Sequence, residues 1–253
     1  MSKANITAEF REFGEKMNVI MICIVLNFII PGIPSIVQLI FTITSLGNIK
    51  RINEQLHNRY LENFRSKYLT SMVIMLLTSI GMVIAMLPFL FNIINYAFSL
   101  IYTTPDPYVV LNTIFPMLFW ILIIAAIGLV VIIIASIFQM KAWENLNAFF
   151  MENAGMFPGK IAEDAIEGTK NLRTASLCMA LIFLLITGII GIIYQILGYS
   201  KLAKLKDLDK YAAAPPGQLP ATEEKALRYC ASCGSRVDPE KNFCQSCGER
   251  IDY

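Results

Sequence analysis

Charged residues are absent from four long stretches of this 253-residue chain, and histidine occurs only once in all of it. No Asp, Glu, Lys or Arg lies within 17–49, 68–105, 107–140 or 174–200. Each stretch is longer than the roughly 18 residues that indicate a membrane helix, so a soluble core explains them poorly. The hydrophobic share of 56 % and the mean hydropathy of +0.57 point the same way. The sequence therefore predicts a multi-pass protein of the cell membrane.

The same four stretches also lack histidine, so they hold none of the usual groups for acid–base chemistry at membrane depth. The single histidine, His57, lies in a polar segment that offers it no activating partner. We therefore predict that the chain is not an enzyme and has no catalytic residue. An uncoupled small-solute channel or transporter is the alternative, with neutral amides lining its path. These amides are Asn27, Gln38, Asn92, Asn95 and Gln195.

Cysteine is scarce in the apolar stretches, where Cys23 and Cys178 resemble small buried apolar residues. The other four of the six cysteines form two Cys-x-x-Cys-Gly knuckles near the C-terminus, Cys230, Cys233, Cys244 and Cys247. Four thiols at this spacing can surround one tetrahedral zinc ion, because the glycine after each second cysteine permits a tight turn. A redox motif is the rival reading, but it normally occurs once, at a helix start. We predict zinc as the cofactor, in a reducing compartment.

Helix-breaking residues divide the apolar stretches into about six membrane helices. The Pro-Gly-Ile-Pro sequence at 31–34 splits the first stretch into a short hairpin, and the turn at 103–107 joins two long helices. Gly188 and Gly191 split the last stretch into a second short hairpin. The expected fold class is an all-α polytopic membrane protein with a small C-terminal zinc ribbon. Both short hairpins either span the membrane fully or are re-entrant.

Changes in composition predict four domains along the chain. They are an N-terminal interfacial segment (1–16), a membrane domain (17–206), a flexible linker (207–227) and the zinc ribbon (228–253). The first segment has Phe10 and Phe13 on one face, although a frayed lead-in is an equal alternative. Two amphipathic connectors, 49–67 and 141–173, lie inside the membrane domain, and Trp143 in the second suits the headgroup region.

Basic residues predict the orientation of the chain. The connector 49–67 and the lysines that follow Ser200 are basic, whereas the turn at 103–107 carries no positive charge. The positive-inside rule then places both termini in the cytosol and the turn outside. Because the chain must cross an even number of times between 141 and the final lysines, the last apolar stretch is predicted to be a hairpin.

The membrane part resembles a family of prokaryotic multi-pass membrane proteins known only as a domain of unknown function. The resemblance lies in the Pro-broken hairpin, the two long helices, the Phe-Gln-Met-Lys-Ala-Trp-Glu-Asn-Leu sequence at 138–146 and the Gly-turned final hairpin. The tail is similar to double-knuckle zinc ribbons appended to many prokaryotic membrane proteins. Neither resemblance implies a reaction.

These features favour a scaffold or regulatory anchor in the lipid bilayer, with the ribbon docking a cytosolic protein. Basic and acidic residues are balanced in 228–253, and four zinc-bound thiolates add negative charge, so nucleic acid is disfavoured as a partner. A purely structural cap without a partner is the plain alternative for the ribbon. A homo-oligomer is compatible with the sequence.

Overall fold

Helices make up nearly all of the computed structural model, which describes residues 3–27, 29–30, 32–102, 107–181, 184–212, 228–229 and 236–237. The long helices are α1 (Lys3–Leu26), α2 (Ile33–Leu56), α3 (Arg59–Tyr102), α4 (Pro107–Glu152), α5 (Gly159–Ala180) and α6 (Leu185–Leu202). Shorter elements are two 3-10 helices (Ala154–Met156 and Ala203–Asp207), α7 (Leu208–Ala212), β1 (Arg228–Tyr229) and β2 (Arg236–Val237).

The six long helices form three antiparallel hairpins in chain order. In the first, Lys16 of α1 hydrogen-bonds Asn48 of α2. In the second, the Ser71 hydroxyl of α3 donates to the carbonyl of Ala135 in α4 over 2.8 Å. In the third, Lys201 of α6 forms ion pairs with Asp164 and Glu167 of α5, and α5 also packs against α4. The predicted helical fold is thus confirmed for the described residues.

Three of the described segments are long and apolar enough to cross a membrane: Arg59–Asn95, Phe115–Glu152 and Ile186–Lys210. The apolar parts of the remaining helices are short. In α1 the part after Lys16 is about 15 Å long, and in α5 the part after Arg173 is about 10 Å, at 1.5 Å per residue. A hydrocarbon core of about 30 Å exceeds both lengths.

The break at 31–34 is confirmed, since α1 ends at Leu26 and α2 begins at Ile33. Gly32 has φ +101°, a conformation that side-chain-bearing residues rarely adopt, and Pro34 stands in the first turn of α2, where no N–H is needed. The proline and glycine together stop one helix and start the next.

Residues 3–16 belong to α1, rather than forming a separate interfacial segment. Phe10 and Phe13 are each 1 % exposed, so their rings are buried in the protein and unavailable to lipid headgroups. The amphipathic pattern correctly predicted a helix. Its apolar face packs against the rest of the protein, whereas the membrane surface had been predicted. Sequence periodicity shows that a face is apolar without showing what covers it.

The predicted connector 49–67 is broken at His57, a correction to its reading as one helix. His57 has φ +47° and donates its N–H to the carbonyl of Asn53, which ends α2. The side chain of Asn58 then accepts the N–H of Tyr60 over 2.8 Å and caps the start of α3. Side-chain capping by asparagine overrides a periodicity that continues through the break.

The turn of the last hairpin lies near Leu181 and Leu184, where α5 ends and α6 begins, and the prediction of a turn at Gly188 and Gly191 is wrong. Gly191 instead lies where α6 packs on α5, since a Cβ added there would be 3.1 Å from the Cβ of Cys178. A Cβ added at Gly198 would lie 2.5 Å from Cγ of Leu172. Small residues let α5 and α6 approach closely, which is why a glycine cluster need not mark a turn.

Aromatic rings fill the region where the charged ends of the helices meet, and we call this set the basal core. Its members are Phe10, Phe13, Phe64, Tyr68, Trp143, Phe149, Phe150, Phe157 and Tyr199. The ring centroids of Phe10 and Phe157 are 5.0 Å apart, and those of Phe64 and Trp143 are 5.3 Å apart. Trp143 is only 2 % exposed, so its predicted place among the headgroups is wrong.

The segment after α6 stays packed against α1 up to Asp209. The backbone of Leu205 and Lys206 lies so close to Gly14 that a Cβ there would be 2.5 Å from the Lys206 nitrogen. Leu208 is buried, and Asp209 forms an ion pair with Arg11. Met1–Asp209 is one compact unit and Lys210–Tyr253 a second. Positions 213–227 of the predicted linker lie outside the described residues.

Replacing Gly198 with alanine should separate α5 from α6, because the new methyl group would overlap Leu172. Overpacking of this kind costs about 1–3 kcal/mol, so we expect the thermal unfolding midpoint in detergent to fall by about 2–10 °C. Gly81→Ala in α3 is the matched control, since nothing lies within 4 Å of a Cβ there. An unchanged midpoint for Gly198→Ala would contradict the close packing.

Candidate functional site

The four predicted zinc ligands, Cys230, Cys233, Cys244 and Cys247, lie outside the described residues. The short strands β1 and β2 flank the first pair in sequence and pair antiparallel, with Tyr229 opposite Arg236. Elsewhere in the described chain, no cluster of three or more His, Cys, Asp or Glu side chains is placed to hold a metal. Cys23 is buried and Cys178 is half-buried, both as free thiols. Zinc therefore stays a prediction.

A polar cleft instead lies among the described apolar helices, between the tip of the α1–α2 hairpin and α6. Its volume is about 380 Å³. Three of the amides named from the sequence, Asn27, Gln38 and Gln195, line this cleft together with Ser35. The proline-glycine break positions the first two by turning α2 back along α1. The cleft can accept a neutral group that forms hydrogen bonds.

The amides of the cleft differ in how their hydrogen bonds are used. Asn27 and Ser35 bond each other twice, with the Asn27 Nδ2 donating over 2.7 Å and the Ser35 hydroxyl donating over 3.0 Å. Within the part of the chain that the structure describes, the carboxamides of Gln38 and Gln195 have no hydrogen-bond partner. Their donors and acceptors are therefore free to bind a group in the cleft.

A second cavity of about 270 Å³ adjoins the first, because Ser35 and Gln38 line both. It runs between α2, α3 and α4 toward the basal core. Its other polar lining residues are Thr42, Tyr68, Ser71 and Gln139. The Gln139 amide and the Tyr199 hydroxyl each lie 3.4 Å from the hydroxyl of Tyr68. A line of neutral polar groups thus extends from the basal core to the hairpin tip.

Each long helix carries a basic residue at the point where its uncharged stretch begins or ends, and we call these six residues the basic layer. They are Lys16, Lys50, Lys67, Lys141, Arg173 and Lys201. Contacts between helices hold them near one level: Lys16 reaches the carbonyl of Thr44, and Arg173 lies 3.6 Å from Glu144. A shared level of positive charge is typical of one membrane boundary.

Acidic residues lie on the side of the basic layer that faces away from the apolar helices. Lys16 pairs with Glu12 over 2.8 Å, and this hydrogen bond holds the pKa of the Glu12 carboxyl below its ordinary value. Arg51 pairs with Glu9 at 2.8 Å, which raises the pKa of Arg51. Lys204 pairs with Asp164 at 2.9 Å. The Arg51–Glu9 pair ties α2 to α1, and the Lys204–Asp164 pair ties the 3-10 helix after α6 to α5.

The cleft lies deep relative to the basic layer. Gln195 precedes Lys201 by six residues, about 9 Å along α6, and Gln38 precedes Lys50 by twelve, about 18 Å along α2. The described lining residues include no Asp, Glu, Lys, Arg or His. The cleft therefore offers hydrogen bonds without charge at a depth where the surrounding helices are apolar.

Two of the amides named from the sequence fall elsewhere, because Asn92 and Asn95 lie on exposed positions of α3, away from the cleft. Sequence reasoning missed Ser35, Thr42, Ser71 and Gln139 as lining residues. Small hydroxyls in apolar helices usually bond their own backbone, as Thr42 does to the Gln38 carbonyl. Only the packing of α2, α3 and α4 shows that these positions face one cavity.

No protein-family model, no curated protein and no solved structure matches this chain. The resemblance to a membrane-protein family of unknown function therefore stays an expectation. The candidate site is defined by its own residues.

Proposed function

We propose that the chain is a membrane scaffold or regulatory anchor whose zinc ribbon docks a cytosolic protein near the membrane surface. The observation that carries this proposal is the second Cys-x-x-Cys-Gly knuckle, which has the same internal spacing as the first and follows a segment that packs against α1. That segment gives the tail a defined starting point, since Leu208 is buried and Asp209 pairs with Arg11. A tether of this kind raises the local concentration of a bound partner.

The residues of the tail suit a zinc ion. Four thiols in two Cys-x-x-Cys pairs match the donors and number of ligands in structural zinc sites. The pairing of β1 with β2 closes the chain around the stretch 230–235, which contains the first two cysteines. Bound zinc would fix the two knuckles in one small fold, and the proposal assigns it no catalytic step.

An uncoupled small-solute channel is the second candidate, and one observation favours it. Asn27, Gln38 and Gln195 line one cleft, as expected for a polar path. Asn92 and Asn95, which the same hypothesis placed on that path, are exposed on α3. The cleft alone supports binding of a neutral group more directly than passage across the whole membrane.

The basic layer supports a topology in which both termini are cytosolic and 103–107 is outside. On this topology the short hairpins enter from the cytosolic side, and their shorter arms of about 10–15 Å favour re-entrant loops. Reporter fusions at Tyr60, Asp106, Glu163 and the C-terminus should read inside, outside, inside and inside. A fusion after Ser200 that reads outside would mean that the final hairpin is a single span.

Zinc binding is testable on the full chain. We expect about one equivalent of zinc per purified protein, because four thiolates satisfy its tetrahedral shell. Cys244→Ser with Cys247→Ser should lose most of the metal, measured by elemental analysis. Cys23→Ser with Cys178→Ser is the matched control and should keep it. A metal content far below one equivalent, with all four tail thiols reactive before chelation, would contradict the prediction of a zinc ribbon.

The docking role is tested by crosslinking in native membranes. Wild-type protein should capture a cytosolic neighbour that the Cys244→Ser, Cys247→Ser variant loses, because the unfolded ribbon has no docking surface. The Cys23→Ser, Cys178→Ser variant should capture the same neighbour as wild type. Identical neighbours for all three proteins, together with solute flux through liposomes that contain the pure protein, would favour the channel instead.

A further inference from the structure

The carboxamides of Gln38 and Gln195 are half-exposed to the cleft and have no hydrogen-bond partner within the described residues. Among apolar helices in a bilayer, a carboxamide without a partner costs free energy, so a ligand that forms hydrogen bonds with it would be stabilising. Both face the same cleft from different hairpins. A ligand that bonds both at once would link α2 to α6.

The charge of the cleft restricts the ligand. An anionic headgroup would lose its water without meeting a cation, since the described lining contains no Lys or Arg. A cationic headgroup would likewise meet no carboxylate. Hydroxyl, ester and amide groups remain as candidates for the bound headgroup, because they form hydrogen bonds with a carboxamide and bring no charge into the cleft.

The surroundings of the cleft suit a ligand that also has hydrocarbon chains. Ile36 and Ile40 on α2 and Ile193 on α6 stand beside the polar lining residues and are each at least half exposed, at 62 %, 53 % and 51 %. An amphiphile can place its polar part against Gln38 and Gln195 while its chains follow these isoleucines. Bulk lipid covers these isoleucines as well, so a lipid can enter the cleft directly from the bilayer.

We propose that the cleft between α2 and α6 binds the uncharged, hydroxyl-bearing headgroup of a glycerolipid through Gln38 and Gln195. Diacylglycerol has the required chemistry: one free hydroxyl, two ester carbonyls and no charge. This site depends on the membrane helices alone, so it is independent of zinc and of docking by the ribbon.

The test uses full-length protein in phosphatidylcholine vesicles with a diacylglycerol that carries a photoreactive diazirine in one acyl chain. Labelling should concentrate on peptides from 24–43 and 186–197. Gln38→Leu with Gln195→Leu should reduce it about fivefold, since each lost hydrogen bond lowers affinity severalfold. Asn92→Leu with Asn95→Leu is the matched control, with the same amide change at exposed positions, and should label as wild type.

Competition identifies the source of the ligand. Unlabelled diacylglycerol should suppress labelling, whereas phosphatidic acid and free glycerol should not. Equal competition by phosphatidic acid would overturn the preference for an uncharged headgroup, and competition by glycerol would show a soluble ligand instead. Labelling spread evenly along α3 and α4 would mean ordinary contact with bulk lipid, which also overturns the proposal.

A second variant keeps the test valid if the double leucine variant is unstable. Gln195→Met preserves side-chain length and volume but removes the amide, and its unfolding midpoint serves as the check on folding. Labelling should fall about threefold. Wild-type labelling by this variant would overturn the role of Gln195.

Discussion

Burial of aromatic rings in the basal core is the interaction on which the rest of the described structure depends. Phe10 of α1 stacks on Phe149 of α4, while Trp143 of α4 contacts both Phe64 of α3 and Tyr199 of α6. Each fully buried ring contributes about 1.5–3 kcal/mol. Because each hairpin contributes rings from at least one of its two helices, the three hairpins are held at their charged ends, and their apolar ends extend from there.

This anchoring explains how a polar cleft exists among apolar helices. Beyond the basal core the tip of the α1–α2 hairpin meets α6, and none of the described residues that line their junction is aromatic. The cleft lies where α1, α2 and α6 meet. Its polar lining residues are Asn27, Ser35, Gln38 and Gln195. Neutral amides are tolerated there because a carboxamide is far easier to bury than a charge. The proposed ligand site belongs to the membrane helices, whereas the proposed docking residues belong to the C-terminal tail.

Much of the fold could be predicted because charge and proline act locally. The four uncharged stretches and the break at 31–34 each follow from residues next to one another in the chain. The predictions that were wrong also failed for physical reasons. His57 and Asn58 end and restart helices through capping that periodicity does not show, and Gly188 and Gly191 permit close packing as readily as a turn. The zinc ligands stay predictions from spacing alone.

The sequence by itself determined that the chain is helical and apolar enough for a membrane, since hydrophobic length and helix breakers are properties of single segments. Only the tertiary structure decided what the apolar faces meet. It placed Phe10, Phe13 and Trp143 in a protein core rather than among headgroups, and it brought Gln38 and Gln195 together while leaving Asn92 outside. The physical reason is that a hydrophobic or polar pattern specifies which face is buried, whereas the identity of its neighbour depends on contacts between residues more than a hundred positions apart.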